Sequence, residues 1–207
     1  MPAQNLSDDM RPREIAVSVA DATETLTAAG IADARVDAEL LLAHMLGVGR
    51  GELQAAALRG DTLDEASDAR FRELVARRAS REPLQHIAGT APFRHLELRV
   101  GPGVFVPRPE TETLVQIALD ALLAAASPSP IAVDLGTGSG AIALALATEA
   151  PHSRVFAAEN AVDAFVWAKE NFTHVGAENA KLAFIDLARA FADLDGTASV
   201  VVSNPPY

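Results

Sequence analysis

Ile131-Ala132-Val133-Asp134-Leu135-Gly136-Thr137-Gly138-Ser139-Gly140 is an apolar strand that runs directly into three alternating glycines, and the stretch 141–149 after it is patterned as a helix. Glycine lets a backbone turn sharply and lets a ligand approach without meeting a Cβ. Between a strand and a helix, such a run is placed to hold a ligand rather than only to turn the chain. Downstream the alternation continues with a strand at 154–158, a helix at 163–171 and strands at 181–185 and 199–203. These strands are continuously apolar, which predicts a parallel sheet covered on both faces. The fold class is α/β and Rossmann-like, with four countable strands.

Upstream, the period is helical. Ile15, Val19, Ala22, Leu26 and Ala29 recur at steps of four and three, and Gly30 is placed to end that helix. Asp33 opens a second helix whose predicted face is Val36, Leu40, Ala43 and Leu46, stopped by Gly47. A short helix at 52–58 ends at Gly60, and a longer one at 64–81 carries Phe71, Leu74, Val75 and Arg78 until Pro83 prevents continuation. After Pro83 the period drops to two. The stretch 96–100 alternates, Gly101-Pro102-Gly103 signals a turn, and 104–106 is expected to pair back as a hairpin. Prolines at Pro107 and Pro109 then lead into a helix to about residue 125, with Leu114, Ile117, Ala118, Ala121 and Leu122 on its apolar face. The pattern thus divides the chain into a small all-α domain at 1–85, a β-hairpin linker at 86–108 and the α/β domain at 109–207.

Bulk properties narrow the function classes. Seventeen basic residues against 28 acidic ones give a formal charge of −11, which opposes a surface that grips phosphate backbones. Arg70, Arg72, Arg77, Arg78 and Arg81 are the local exception, read either as a solvated helix face or as a docking patch for an acidic or RNA-associated partner. Without cysteine there is no disulfide framework, and a reducing, cytoplasmic setting fits. The start of the chain is polar and acidic, unlike a signal or transit segment, and the most apolar stretch, 121–148, is broken by prolines, glycines and Asp134, so no membrane span is expected. His44 has no partner at metal-ligand spacing and reads as structural.

The chemistry sits at the predicted strand ends. Gly136, Thr137, Gly138, Ser139 and Gly140 form the ligand loop; with Ala141 as a further small residue, the run alone also admits NAD. Glu159 ends the next strand about twenty residues on, where a carboxylate can accept ribose hydroxyls. Asp186 ends the third, within reach of an adenine edge or a surface acid only. Asn204-Pro205-Pro206-Tyr207 follows the last strand. An amide nitrogen is a poor nucleophile, so a catalyst must orient it: the Asn204 side-chain oxygen and the Pro205 carbonyl can each accept one of its hydrogens, and Tyr207 can stack on a planar group. Such a site suits methyl transfer to a planar nitrogen and needs no metal and no strong base.

These segments resemble the HemK/PrmC family, the protein-glutamine methyltransferases of peptide-chain release factors. The resemblance rests on Arg77-Arg78 with Glu82-Pro83-Leu84-Gln85-His86-Ile87-Ala88-Gly89, on Val106-Pro107-Arg108-Pro109-Glu110-Thr111-Glu112, on Asp134 to Gly140, and on Ser203 to Tyr207. It implies a class I methyltransferase sheet and S-adenosyl-L-methionine as cofactor, wrapped by Gly136 to Gly140, with its ribose on Glu159, where relatives often carry Asp. Asp186 and Leu187 would lie by the adenine. Asn204 would border the cofactor and, with Pro205, Pro206 and Tyr207, hold the glutamine of the Gly-Gly-Gln motif. The helical domain would dock on the release factor, with no membrane and no direct nucleic-acid contact. Family members continue past the tetrapeptide to a seven-stranded sheet, so the resemblance also implies a C-terminally incomplete domain. Its last strand would be an unpaired edge, its substrate pocket destabilised, and the chain prone to self-association. The alternatives are a nucleic-acid adenine or guanine methyltransferase, and a non-catalytic fragment that binds cofactor or release factor.

Overall fold

The structure, a computed structural model, describes residues 12–205 and separates into two compact units, Met1–Ala88 and Gly89–Tyr207. The polar segment up to Arg11 lies outside the described residues.

In the first unit a two-residue pairing of β1 (Arg13–Glu14) with β2 (Thr62–Leu63) ties together a group of helices: α1 (Ile15–Ala28), α2 (Ala34–Leu46), α3 (Arg50–Arg59), α4 (Glu65–Ala79) and the short α5 (Leu84–Ala88). Helix α1 buries Ile15, Val19, Ala22 and Leu26, as its spacing predicts. It closes where Gly30 takes a φ of 72° and the Ile31 N–H reaches back to the Leu26 carbonyl. The predicted face of α2 is a correction. Leu40 and Leu46 are exposed, while Ala38, Leu41, Leu42 and Ala43 fill the core with Leu26, Leu53, Phe71 and Val75. The reason is that α2 buries two acids on its inner side. Asp37 accepts from Arg78 at 2.7 Å, and Glu39 accepts from Arg35 (3.0 Å), Arg50 (2.8 Å) and Gln54 (2.8 Å). Paired charges can be buried where single ones cannot.

Four of the five arginines of the arginine-rich segment have partners on the chain. Arg72 pairs with Asp68, Arg77 with both oxygens of Glu82, Arg78 with Asp37, and Arg81 donates to the Gly30 carbonyl. Arg72 and Arg77 stay largely exposed within their pairs, which favours the solvated helix face over the docking patch.

The second unit opens with a hairpin of β3 (Thr90–Phe93) and β4 (Leu96–Arg99), whose register pairs Thr90 with Arg99 and Phe93 with Leu96. The expected hairpin of 96–100 with 104–106 is not formed: a tight turn does follow β4, with the Val104 N–H donating to the Gly101 carbonyl at 3.3 Å, but β4 pairs back with β3, and Gly101 and Gly103 also serve close packing. A Cβ on Gly101 would come within 2.4 Å of the Trp167 ring, and one on Gly103 within 2.5 Å of Asp163. The turn between β3 and β4 is at Arg94, a non-glycine residue at φ 51°. Its guanidinium is held bidentately by Glu149 at 2.6 Å on each arm, and its N–H donates to Glu112 at 3.1 Å. Pro92 within β3 masked that strand in the sequence. The hairpin supplies Phe93 and Leu98 to the core of this unit, so the residues expected as a linker divide at Ala88 and Gly89.

Helix α6 (Pro109–Ala124) buries Val115, Ala118, Leu119 and Leu122; of the face expected for it, Ile117 and Ala121 are exposed. Next come β5 (Ile131–Leu135), α7 (Ala141–Glu149), β6 (Arg154–Glu159), α8 (Val162–Val175), β7 (Ala180–Phe184), two 3-10 turns (Leu187–Arg189 and Ala192–Leu194) and β8 (Val200–Ser203). Residues 141–147 of α7 are all buried, which suits a helix that is apolar all round. Among the described residues the parallel sheet has the order β7-β6-β5-β8. The chain steps outward from β5 to β6 to β7 and then crosses back to the far side of β5. That reversal creates a crevice at the carboxyl ends of β5 and β8, where open α/β sheets bind ligands. Cover on both faces is realised at β5, whose residues 131–134 are all buried. At β8 it is not: Val202 is 6 % exposed and its neighbour Val201 58 %, since β8 pairs with β5 alone among the described residues.

Candidate active site

Strand β5 delivers the glycine loop to the reversal point. Gly136, Gly138 and Gly140 sit at φ 74°, 59° and 85°, a region costly for any residue with a Cβ. A Cβ on Gly136 or Gly138 would meet nothing within 4 Å, so these two border open space. Gly140 differs, since a Cβ there would lie 3.0 Å from the Phe172 ring. Two glycines thus leave space above the loop and the third lets α8 approach. The loop is held to β6 by the Gly136 and Thr137 N–H groups, which donate to the Ala158 carbonyl at 2.9 and 3.0 Å.

Glu159, at the end of β6, is 7 % exposed and faces this loop. Its Oε2 accepts from the Gly138 N–H at 2.8 Å, and its Oε1 accepts from Asn160 and Ala161 N–H at 2.9 Å each. Oε2 keeps a lone pair for a ligand hydroxyl. The carboxylate therefore pins the glycine loop and the approach to α8, which spacing did not reveal.

Asp134 is fully buried beneath the loop. Its Oδ2 accepts from the Thr137 hydroxyl at 2.6 Å and the Ala143 N–H at 3.2 Å, while Oδ1 has no hydrogen-bond partner. Burial lifts its carboxyl to about 6 against the hydrogen bonds that favour the charged form. An orphaned carboxylate oxygen under an open glycine loop suits a ligand that brings a positive charge or a donor.

On the other side of β5, Leu135 stands opposite Ser203, and the Ser203 hydroxyl donates to the Leu135 carbonyl at 2.7 Å. This brings Asn204 and Pro205 beside the start of the glycine loop, although the two segments lie far apart in sequence. The Asn204 Nδ2 donates to the Thr111 hydroxyl at 3.0 Å, which leaves its Oδ1 as an acceptor. Pro206 and Tyr207 lie outside the described residues. Asp186 follows β7, whose Phe184 pairs with Glu159, but its carboxylate caps the next turn by accepting from Ala188 N–H at 2.9 Å. Leu187 is exposed beside it. The structure thus gathers the glycine loop, Glu159, Asn204 and Pro205 at adjoining strand ends, with Asp186 and Leu187 one strand further out.

Three residues escaped the sequence reading as site residues. Thr111 lay within a recognised motif without a role. Asp134 opened the recognised Asp134-to-Gly140 run but was given no role of its own. Asn171, buried on α8, carried no signal, since a single asparagine on a helix is ordinary.

A parallel sheet with this reversal, a glycine loop after its first strand and a carboxylate ending its second fits the class I methyltransferase fold, an arrangement shared with dinucleotide-binding sheets. Residues 96–207 match the family described as the methyltransferase small domain, and residues 19–89 match the PrmC N-terminal domain. The chain belongs to the methyltransferase small domain family, and the pair of matches bears out the resemblance to the HemK/PrmC family. The same match decides against the dinucleotide reading of the glycine run.

Among curated relatives, the release factor glutamine methyltransferase of Streptomyces coelicolor is 52 % identical over 91 % of this chain and 64 % of its own length. That of Mycobacterium tuberculosis is 40 % identical over 90 % of this chain and 60 % of its own. The chain therefore spans somewhat under two thirds of these relatives. Among solved structures, the METTL16 methyltransferase domain overlaps 72 % of this chain and 58 % of its own at 19 % identity and a TM-score of 0.45. The family match, rather than this loose overlap, carries the assignment.

Proposed function

We propose that the chain transfers a methyl group from S-adenosyl-L-methionine to the side-chain amide of the glutamine in the Gly-Gly-Gln motif of peptide-chain release factors. The observation that carries this reading is the pairing of β8 with β5, which sets Asn204 and Pro205 beside the glycine loop. Gly136 to Gly140 and Glu159 would hold the cofactor, Glu159 through the ribose hydroxyls, with Asp186 and Leu187 nearest the adenine. Bound there, the cofactor supplies an electrophilic sulfonium methyl. The buried Asp134, with one oxygen unpaired, suits a cationic ligand. Asn204 Oδ1 and the Pro205 carbonyl accept the two amide hydrogens and hold the nitrogen lone pair in one direction. Tyr207 would stack on the amide plane. The names of the relatives supply the release factor as partner, and the helical unit would recognise it. A cytoplasmic location suits that partner. Among the described residues no helix is long and apolar enough to cross a membrane.

A nucleic-acid substrate is disfavoured by the charge of −11 and by the internal pairing of the arginine segment. The test is calorimetry with S-adenosyl-L-methionine followed by labelled-methyl transfer to release factor and to ribosomal RNA. Transfer to release factor alone, lost in Asn204→Ala with cofactor binding kept, is expected. Transfer to RNA, or turnover retained by Asn204→Ala, would overturn the reading.

A further inference from the structure

Asn171 is fully buried on α8 and spends its whole amide on backbone atoms of two distant segments. Its Oδ1 accepts from the Arg99 N–H at 2.7 Å, and its Nδ2 donates to the Arg99 carbonyl at 2.9 Å and to the Ser139 carbonyl at 2.8 Å. The two bonds to Arg99 copy the pairing of one peptide with another and lock the end of β4 to the helix. The third reaches the middle of the glycine loop, between Gly138 and Gly140. Ser139 thus has its carbonyl tied down, while its own N–H has no partner among the described residues. The Ser139 carbonyl shares its peptide plane with the Gly140 N–H, which donates to the Thr137 carbonyl at 2.9 Å, so the bond from Asn171 fixes one peptide of the loop from both sides between two left-handed glycines.

We propose that Asn171 is a positioning residue for the cofactor loop, holding the Ser139–Gly140 peptide so that the loop keeps the shape in which it meets the ligand. The inference rests on the cofactor reading of the loop given above. No other side chain does the same work. Aspartate keeps the acceptor for the Arg99 N–H but loses both donors and sets a charge against two carbonyls, and alanine leaves all three backbone groups unpaired. Trp167, one turn earlier on α8, is the natural comparison. Its indole N–H donates to the Pro102 carbonyl at 3.0 Å, and its ring packs on Gly101. It therefore anchors the same stretch after β4 without touching the loop.

The experiment compares Asn171→Ala with Trp167→Phe in the full chain. Hydrogen exchange of the 138–142 amides, S-adenosyl-L-methionine affinity by calorimetry and thermal melting are measured together. Both variants lose stability. Only Asn171→Ala speeds loop exchange, and it weakens the cofactor about tenfold while Trp167→Phe stays within about twofold of the parent. Equal exchange and equal affinity in the two variants would overturn the proposal. If the parent itself fails to bind, the cofactor reading falls, and the exchange comparison still decides whether Asn171 holds the loop. Should Asn171→Ala not fold, Asn171→Asp gives the same comparison with the Arg99 N–H still satisfied.

Discussion

The side-chain amide of Asn204 donates to the Thr111 hydroxyl at 3.0 Å, joining the end of β8 to the first turn of α6. That bond orients the amide with its oxygen free, which is the orientation an acceptor of substrate hydrogens requires. Thr111→Val keeps the size and removes the partner. Turnover with release factor should fall about tenfold while cofactor affinity stays level, since positioning acts on the reacting geometry. Steady-state kinetics beside calorimetry separates the two, and unchanged turnover would dismiss the role.

Asp134 makes stability depend on pH with a sign opposite to that of paired carboxylates. Its carboxyl rises from 3.8 to about 6 through burial, so between those values the folded chain holds a proton that the unfolded chain has lost. Its contribution is greatest below about 3.8, declines as pH rises through about 6, and then stays constant. Asp134→Asn should flatten that part of the denaturation profile. Affinity for a cationic cofactor should rise across the same window in the parent only.

Gly138 and Gly60 both have left-handed backbones, with φ 59° and 78°, and neither has a neighbour within 4 Å of where a Cβ would stand. Alanine at either position should cost about 1 kcal/mol in chemical denaturation. Only Gly138→Ala should also weaken cofactor binding, because its space belongs to the ligand loop. Equal binding by the two variants would remove Gly138 from the site.

The ion pair of Arg94 and Glu149 is largely buried and ties the hairpin turn to the end of α7. Arg94→Ala should destabilise the unit by about 2 kcal/mol, leaving Glu149 unpaired and the turn without its anchor. The hydrogen bonds from Arg94 hold the Glu149 carboxyl below its usual range. The contribution of the pair is therefore present above that range and lost as pH falls through it. Melting curves of parent and variant should converge in acid.

Much of this protein was legible along the chain. The glycine loop and its strand were local patterns, as were the face of α1 and the ends of α3 and α4. Each depends on residues within one or two turns of one another, so periodicity and capping report them directly. The hairpin was misplaced because the turn after β4 leads into no second strand: Gly101 and Gly103 lie against Trp167 and Asp163, and β4 pairs back with β3 instead. The face of α2 was misread because its buried acids find their arginine partners on other elements.

The sequence by itself determined the class of fold, the family and the residues that could form the site. Short-range backbone preferences and the spacing of apolar side chains are enough for that. Only the tertiary structure decided how those residues meet. The pairing of β8 with β5 puts Asn204 beside the loop, Thr111 orients its amide, Glu159 clasps Gly138, and Asn171 holds Ser139. The physical reason is that a single buried hydrogen bond between segments distant in sequence depends on the whole fold for its geometry. It leaves no periodic mark on the chain.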